Sequence, residues 1–178
     1  MTELMHAMSV GTFVPVLRSL SGVLAKSEAH ARETGDDPEA LAVASLASDM
    51  FNLTLQVGVA CSQARFGVAT LAGLEPPGFQ PGDPNFAGFE RTIAEAIAYA
   101  EAAPKAAFEG AAERPLKIPL PDAGIVLEMT GLEFLRDWIL PHFYFHVVTA
   151  YDILRANGAP LGKLDYLAHV GYAVRPLG

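Results

Sequence analysis

An all-α fold, a four-helix bundle with a small β-hairpin inserted before its last helix, is predicted by three features of the sequence. Long segments carry apolar residues at the 3-4 spacing of one helix face, as in Phe13, Leu17, Leu20 and Leu24 or Phe86, Phe89, Ile93 and Ile97. Alternation with a period of two occurs over one short stretch, where Leu116, Ile118 and Leu120 are answered by Ile125, Leu127 and Met129 across Pro121-Asp122-Ala123-Gly124. The chain has 178 residues, enough for one domain that removes about 70% of its unfolded surface from water. Residues 1–178 are therefore expected to form one domain, with 168–178 as a C-terminal tail.

The elements follow in order. Ser9 can cap a first helix running to about Thr34, and Gly35-Asp36-Asp37-Pro38 turns the chain. A second helix is expected from about Ser48 to Leu71, ended by Gly73. Between Leu74 and Asn85 the prolines and glycines exclude helix and central strand, leaving a long loop. The third helix, from Phe86, stops at Pro104. Pro119 restricts its strand to an edge, and a lone hairpin must lay its apolar face on the bundle. Thr130 and Glu133 form a capping box that opens the fourth helix, and Asn157-Gly158 closes it. Pro141 lies inside that helix and should kink it just before His142.

Hydrophobic residues make up 51% of the chain against 18% charged, which suggests either a well-filled bundle or extra apolar surface buried between subunits, and a homodimer is expected. The net charge of −8 and the absence of a Lys/Arg cluster argue against nucleic acid. The amino-terminal residues show no basic flank leading into an apolar run, and the most apolar stretch is interrupted by Pro141 and two histidines, so neither a secretory leader nor a membrane span is expected. The single cysteine, Cys61, cannot form an intrachain disulfide and lies among small residues without a histidine or cation beside it. A packing role and a cytoplasmic setting follow.

The chemistry is concentrated in Pro141-His142-Phe143-Tyr144-Phe145-His146. Histidines at i and i+4 share one helix face, with Cβ atoms roughly 5–6 Å apart, so His142 and His146 can address one point. From Trp138 to Tyr151 nearly every other residue is apolar or aromatic, which predicts a helix enclosed on all sides. Two imidazoles are half of a metal site, and a buried neutral histidine can equally satisfy itself with a hydrogen-bond acceptor. On the second helix Asp49, Asn52, Gln56 and Gln63 fall on one stripe, which faces either solvent or the histidines. Asp49 and Gln56 are the candidates to turn inward. No spacing supports a Ser-His-Asp or Cys-His arrangement.

Ser48-Asp49-Met50 with Gln56, Leu71-Ala72-Gly73-Leu74-Glu75-Pro76-Pro77, the His142/His146 segment, and Tyr151-Asp152-Ile153-Leu154 through Leu164-Asp165-Tyr166 together resemble the DinB/YfiT-like helical-bundle superfamily. More narrowly the chain is similar to the superfamily's branch known as domain of unknown function 1993. The resemblance implies an up-down-down-up bundle. It also implies one divalent metal ion (Zn, Ni or Mn), held by a His-x-x-x-His pair on the last helix and a histidine on the second, in a superfamily several of whose members are thiol-cofactor transferases or isomerases. Here His142 and His146 match the pair, while the second helix has no histidine and offers Asp49 and Gln56. The resulting expectation is a polar pocket at the pair, serving a metal-dependent transferase or hydrolase. The alternative is a metal-free oligomeric bundle that binds a small molecule or plays a structural part.

Overall fold

The computed structural model describes residues 1–175, with the side chain of Asp122 left aside. Four long helices form the bundle: α1 (Thr2–Thr34), α3 (Leu53–Ala72), α4 (Phe86–Glu101) and α6 (Leu140–Ala156). Short helices α2 (Pro38–Ala42), α5 (Gly131–Glu133) and α7 (Lys163–Tyr166) and the hairpin β1 (Pro115–Leu120) and β2 (Ile125–Thr130) complete it. Helix α3 packs on both α4 and α6, and α1 closes the ring against the same three helices. Phe13, Leu17, Leu53, Phe89, Ile93, Phe134, Phe143 and Ile153 meet in one core, each at most 1% exposed.

Helix α1 begins at Thr2, well before Ser9, whose hydroxyl instead donates to the Met5 carbonyl one turn back. Pro15 is consequently an interior residue of α1 and not part of its opening turns. By length and apolarity alone α1 could cross a membrane, and 56% of the qualifying window is buried inside the bundle.

The second long helix starts at Leu53, later than expected. Asn52 takes the cap, its side chain accepting from Leu55 N at 3.0 Å, because the short amide satisfies an otherwise orphaned amide of the first turn. Residues 44–52, Asp49 among them, are thereby left outside the helix. The capping box at Thr130 forms as expected: Thr130 N donates to Glu133 Oε2 at 2.8 Å, and Glu133 N to Thr130 Oγ1 at 3.3 Å. Pro141 acts through a π-helical turn over Phe134–Ile139 immediately upstream. A proline cannot donate to the carbonyl four residues back, and widening the preceding turn accommodates that loss.

The hairpin pairs antiparallel with Ile118 opposite Leu127, and Leu116, Ile118, Leu127 and Met129 are half-buried. Its junction with the bundle is tight. A Cβ on Gly131 would lie 1.9 Å from the Ala111 carbonyl oxygen, and Gly131 N donates to Arg114 O at 2.9 Å. The expected tail is a 3-10 helix over Ala168–Ala173, tied to α1 by His169 N donating to Ser19 Oγ at 3.0 Å; residues 176–178 lie outside the described residues.

Candidate functional site

The histidine pair sits on α6 facing α3. The two rings have centroids 5.0 Å apart, as one turn of helix requires. His146 is buried, and its Nδ1 lies 2.7 Å from Gln56 Oε1. Gln56 Nε2 donates to the Phe51 carbonyl at 3.1 Å. With the amide nitrogen engaged there, Oε1 is the acceptor, so the His146 proton resides on Nδ1 and Nε2 carries the lone pair. Phe51 stacks on the His146 ring, with centroids 6.4 Å apart and an interplanar angle of 18°. His142 is met edge-on by Trp138 at 5.5 Å, and its Nδ1 is buried with no hydrogen-bond partner.

Electrostatically both imidazoles are neutral bases. Burial, and then the neighbouring His142, push the His146 pKa down to about 4. Burial also lowers that of His142. Desolvation disfavours the charged ring, and among the described residues no carboxylate contributes to either shift to oppose it.

Between α3, α6 and the 74–85 loop lies a cavity of about 530 Å³ lined by the two histidines with Phe51, Leu55, Val59, Ser62, Gln63, Phe79 and Phe145. Gln63 Oε1 is a second buried polar atom without a partner on its wall. A smaller space of about 310 Å³, under Trp138 and the hairpin, shares Ser62, Gln63, Phe79 and His142 with it. Helix α6 is therefore not enclosed all round. Pro141, Phe145 and Val148 are exposed, with Phe145 55% accessible at the cavity mouth.

Of the residues expected at the site, His142, His146 and Gln56 come together and Asp49 does not. Asp49 is exposed in the turn before α3 and does not line the cavity. The late start of α3 breaks the stripe on which it was counted. Phe51, Phe79 and Phe145 were not singled out from the sequence. An aromatic residue isolated within a Pro/Gly-rich loop, as Phe79 is, was the available signal.

The donor set fits a divalent ion poorly. Among the described residues no group of three His, Cys, Asp or Glu side chains converges, whereas a catalytic zinc takes about three protein ligands. The third position is filled by Gln56, a neutral amide already spent on His146 and on the Phe51 carbonyl.

No curated protein matches the chain. A crystal structure of a DinB family member protein from Shewanella denitrificans, at 1.83 Å resolution, is 36% identical in sequence, with 93% of each chain covered and a TM-score of 0.84. Residues 5–167 match the family described as Domain of unknown function (DUF1993). The chain belongs to that DinB-like family.

Proposed function

We propose that this protein binds a small molecule with a largely apolar, aromatic-compatible body and one hydrogen-donating head group, in the cavity beside His142 and His146. The observation that carries the reading is that two residues lining one largely apolar cavity, His142 and Gln63, each hold a buried polar atom without a partner, Nδ1 and Oε1. Buried polar atoms without partners cost about 1–3 kcal/mol each, and a ligand head group that supplies the missing bonds recovers this. The aromatic side chains at the mouth, Phe51, Phe79 and Phe145, are each at least 50% exposed and would cover the ligand body.

Binding is favoured over hydrolysis or transfer by acid–base strength. A general base works best with a pKa near the operating pH, and an imidazole at about 4, polarised by an amide and not a carboxylate, is a weak one. In favour of a divalent ion stands the availability of both imidazoles as free bases at neutral pH.

The test uses 4-ethylphenol and its methyl ether, 4-ethylanisole, as probes that share one aromatic body and differ in a methyl group that replaces the hydroxyl proton. Binding is read from the fluorescence of Trp138, the single tryptophan, which lies against His142, and from thermal shift. The phenol should bind and the ether should bind at least about tenfold more weakly, a difference of about 1.4 kcal/mol. Equal binding of the two, or none, overturns the reading. So does stoichiometric zinc or nickel in tag-free protein that is lost in a His142→Ala/His146→Ala variant.

A further inference from the structure

On the opposite side of the 74–85 loop lies a second cavity, of about 440 Å³, between that loop, α3 and α4. Its wall is charged where the histidine cavity is apolar: Arg65 from α3, Arg91 and Glu95 from α4, and Asp83 from the loop. Arg91 and Asp83 neutralise each other in an ion pair. Arg65 and Glu95 do not. Among the described residues neither takes part in an ion pair, and Arg65 Nε is buried without any hydrogen-bond partner. A half-buried guanidinium with an orphaned donor and an exposed carboxylate thus line one space without meeting across it.

The walls are fixed by backbone. A Cβ on Gly58 of α3 would lie 2.6 Å from the Pro81 carbonyl oxygen, and one on Gly88 of α4 would lie 2.5 Å from that of Asp83. Gly82, at φ +81°, brings the loop equally close to Thr92 Oγ1. Contacts of this kind exist only where the side chain is missing, so the loop is seated closely on both helices. The charges also act on common ground. Cys61, one turn before Arg65, has its thiol pushed up to about 12 by burial first, with smaller opposing contributions from Arg65 and Glu95. It stays protonated in the core behind the cavity and offers no competing thiolate to the guanidinium.

We propose that this cavity is a binding site for a small zwitterion, whose carboxylate takes the unpaired guanidinium of Arg65 and whose ammonium takes the carboxylate of Glu95. Arginine presents a fork of donors that matches a carboxylate in two parallel bonds. An anion alone would leave Glu95 facing added negative charge, and a cation alone would leave the Arg65 guanidinium without a counter-charge. The two charges stand too far apart to bond each other, which selects a ligand that spans them.

Isothermal titration and thermal shift on the full chain test this with glycine, γ-aminobutyrate and ε-aminocaproate as zwitterions of rising charge separation. Butyrate, butylamine and inorganic phosphate serve as single-charge probes. One of the zwitterions should bind at least about tenfold tighter than butyrate or butylamine. Arg65→Gln should lose that binding. Glu95→Gln, an exposed substitution that leaves the packing alone, should keep butyrate binding and erase the preference for the zwitterion. The proposal fails if no zwitterion binds, if phosphate binds more tightly than all three, or if the preference survives Glu95→Gln in a variant that melts like the parent.

Discussion

His146 Nδ1 and Gln56 Oε1, 90 positions apart in the chain, lie 2.7 Å from each other and form a buried side-chain bond between α6 and α3. The bond fixes the tautomer of the histidine, and it is relayed to backbone through Gln56 Nε2 and the Phe51 carbonyl. Gln56→Leu removes the acceptor and strands the Nδ1–H in a buried position, which should destabilise the fold by about 1–3 kcal/mol in urea unfolding. Gln56→Glu keeps the geometry and supplies a negative charge. The His146 pKa should then rise well above about 4, as an opposite charge favours the imidazolium. Imidazole proton chemical shifts followed through a pH titration check this, and an unmoved titration would show that Gln56 is not the partner of the ring.

The pH dependence of stability has a definite sign. The folded-state pKa of His146 lies near 4, below the ordinary value of 6.5, and that of His142 is lowered by the same cause. Between those limits the unfolded chain binds more protons than the folded one, so stability rises with pH. It should be fully present above about pH 6.5 and decline as pH falls toward 4, with His146 contributing at most about 3 kcal/mol. Urea midpoints measured across this window should show the fall, and His146→Gln should flatten it. A profile with the same slope in that variant would assign the effect to other groups.

His142 should behave oppositely to His146 under substitution. Its Nδ1 is buried without a partner, so His142→Leu removes an unsatisfied polar atom and leaves the hydrocarbon contact with Trp138 and the cavity wall. Replacing such an atom with an apolar group is nearly neutral or favourable. The variant should melt within about 1 kcal/mol of the parent and should lose the discrimination between 4-ethylphenol and its ether. A large loss of stability would mean that the ring holds the core together.

The bundle and the histidine pair were legible because both rest on short-range periodicity. The 3-4 spacing of Phe86, Phe89 and Ile93 and the four-residue step from His142 to His146 hold wherever a helix forms. Asp49 was misplaced by a competition that the stripe alone does not reveal. Either Ser48 or Asn52 could cap α3, and Asn52 took the role, so the carboxylate lies in a turn. Helix α6 looked enclosed because its residues are apolar on every side. Composition cannot distinguish an apolar face against protein from one against an open cavity, and Phe145 lies at such an opening. Arg65 carried no signal at all, since its significance depends on α4 and the loop arriving beside it through long-range packing.

The seating of the 74–85 loop on α3 can be tested at one position. Gly58 is buried, and a Cβ there would meet Pro81 backbone at 2.6 Å from the carbonyl oxygen and 3.0 Å from Cα. Backbone atoms cannot rotate aside as a flexible side chain would, so Gly58→Ala forces the loop outward. Overpacking of this kind costs about 1–3 kcal/mol, and the loop, which lacks the regular hydrogen bonds of α3, takes up the strain. The variant should keep its helical circular dichroism while becoming more susceptible to proteolysis between residues 74 and 85. Because Phe79 walls the histidine cavity and Gln80 walls the charged one, binding at both cavities should weaken together. If proteolysis is unchanged and stability falls, α3 has shifted and the loop has held, and the two cavities would then respond independently.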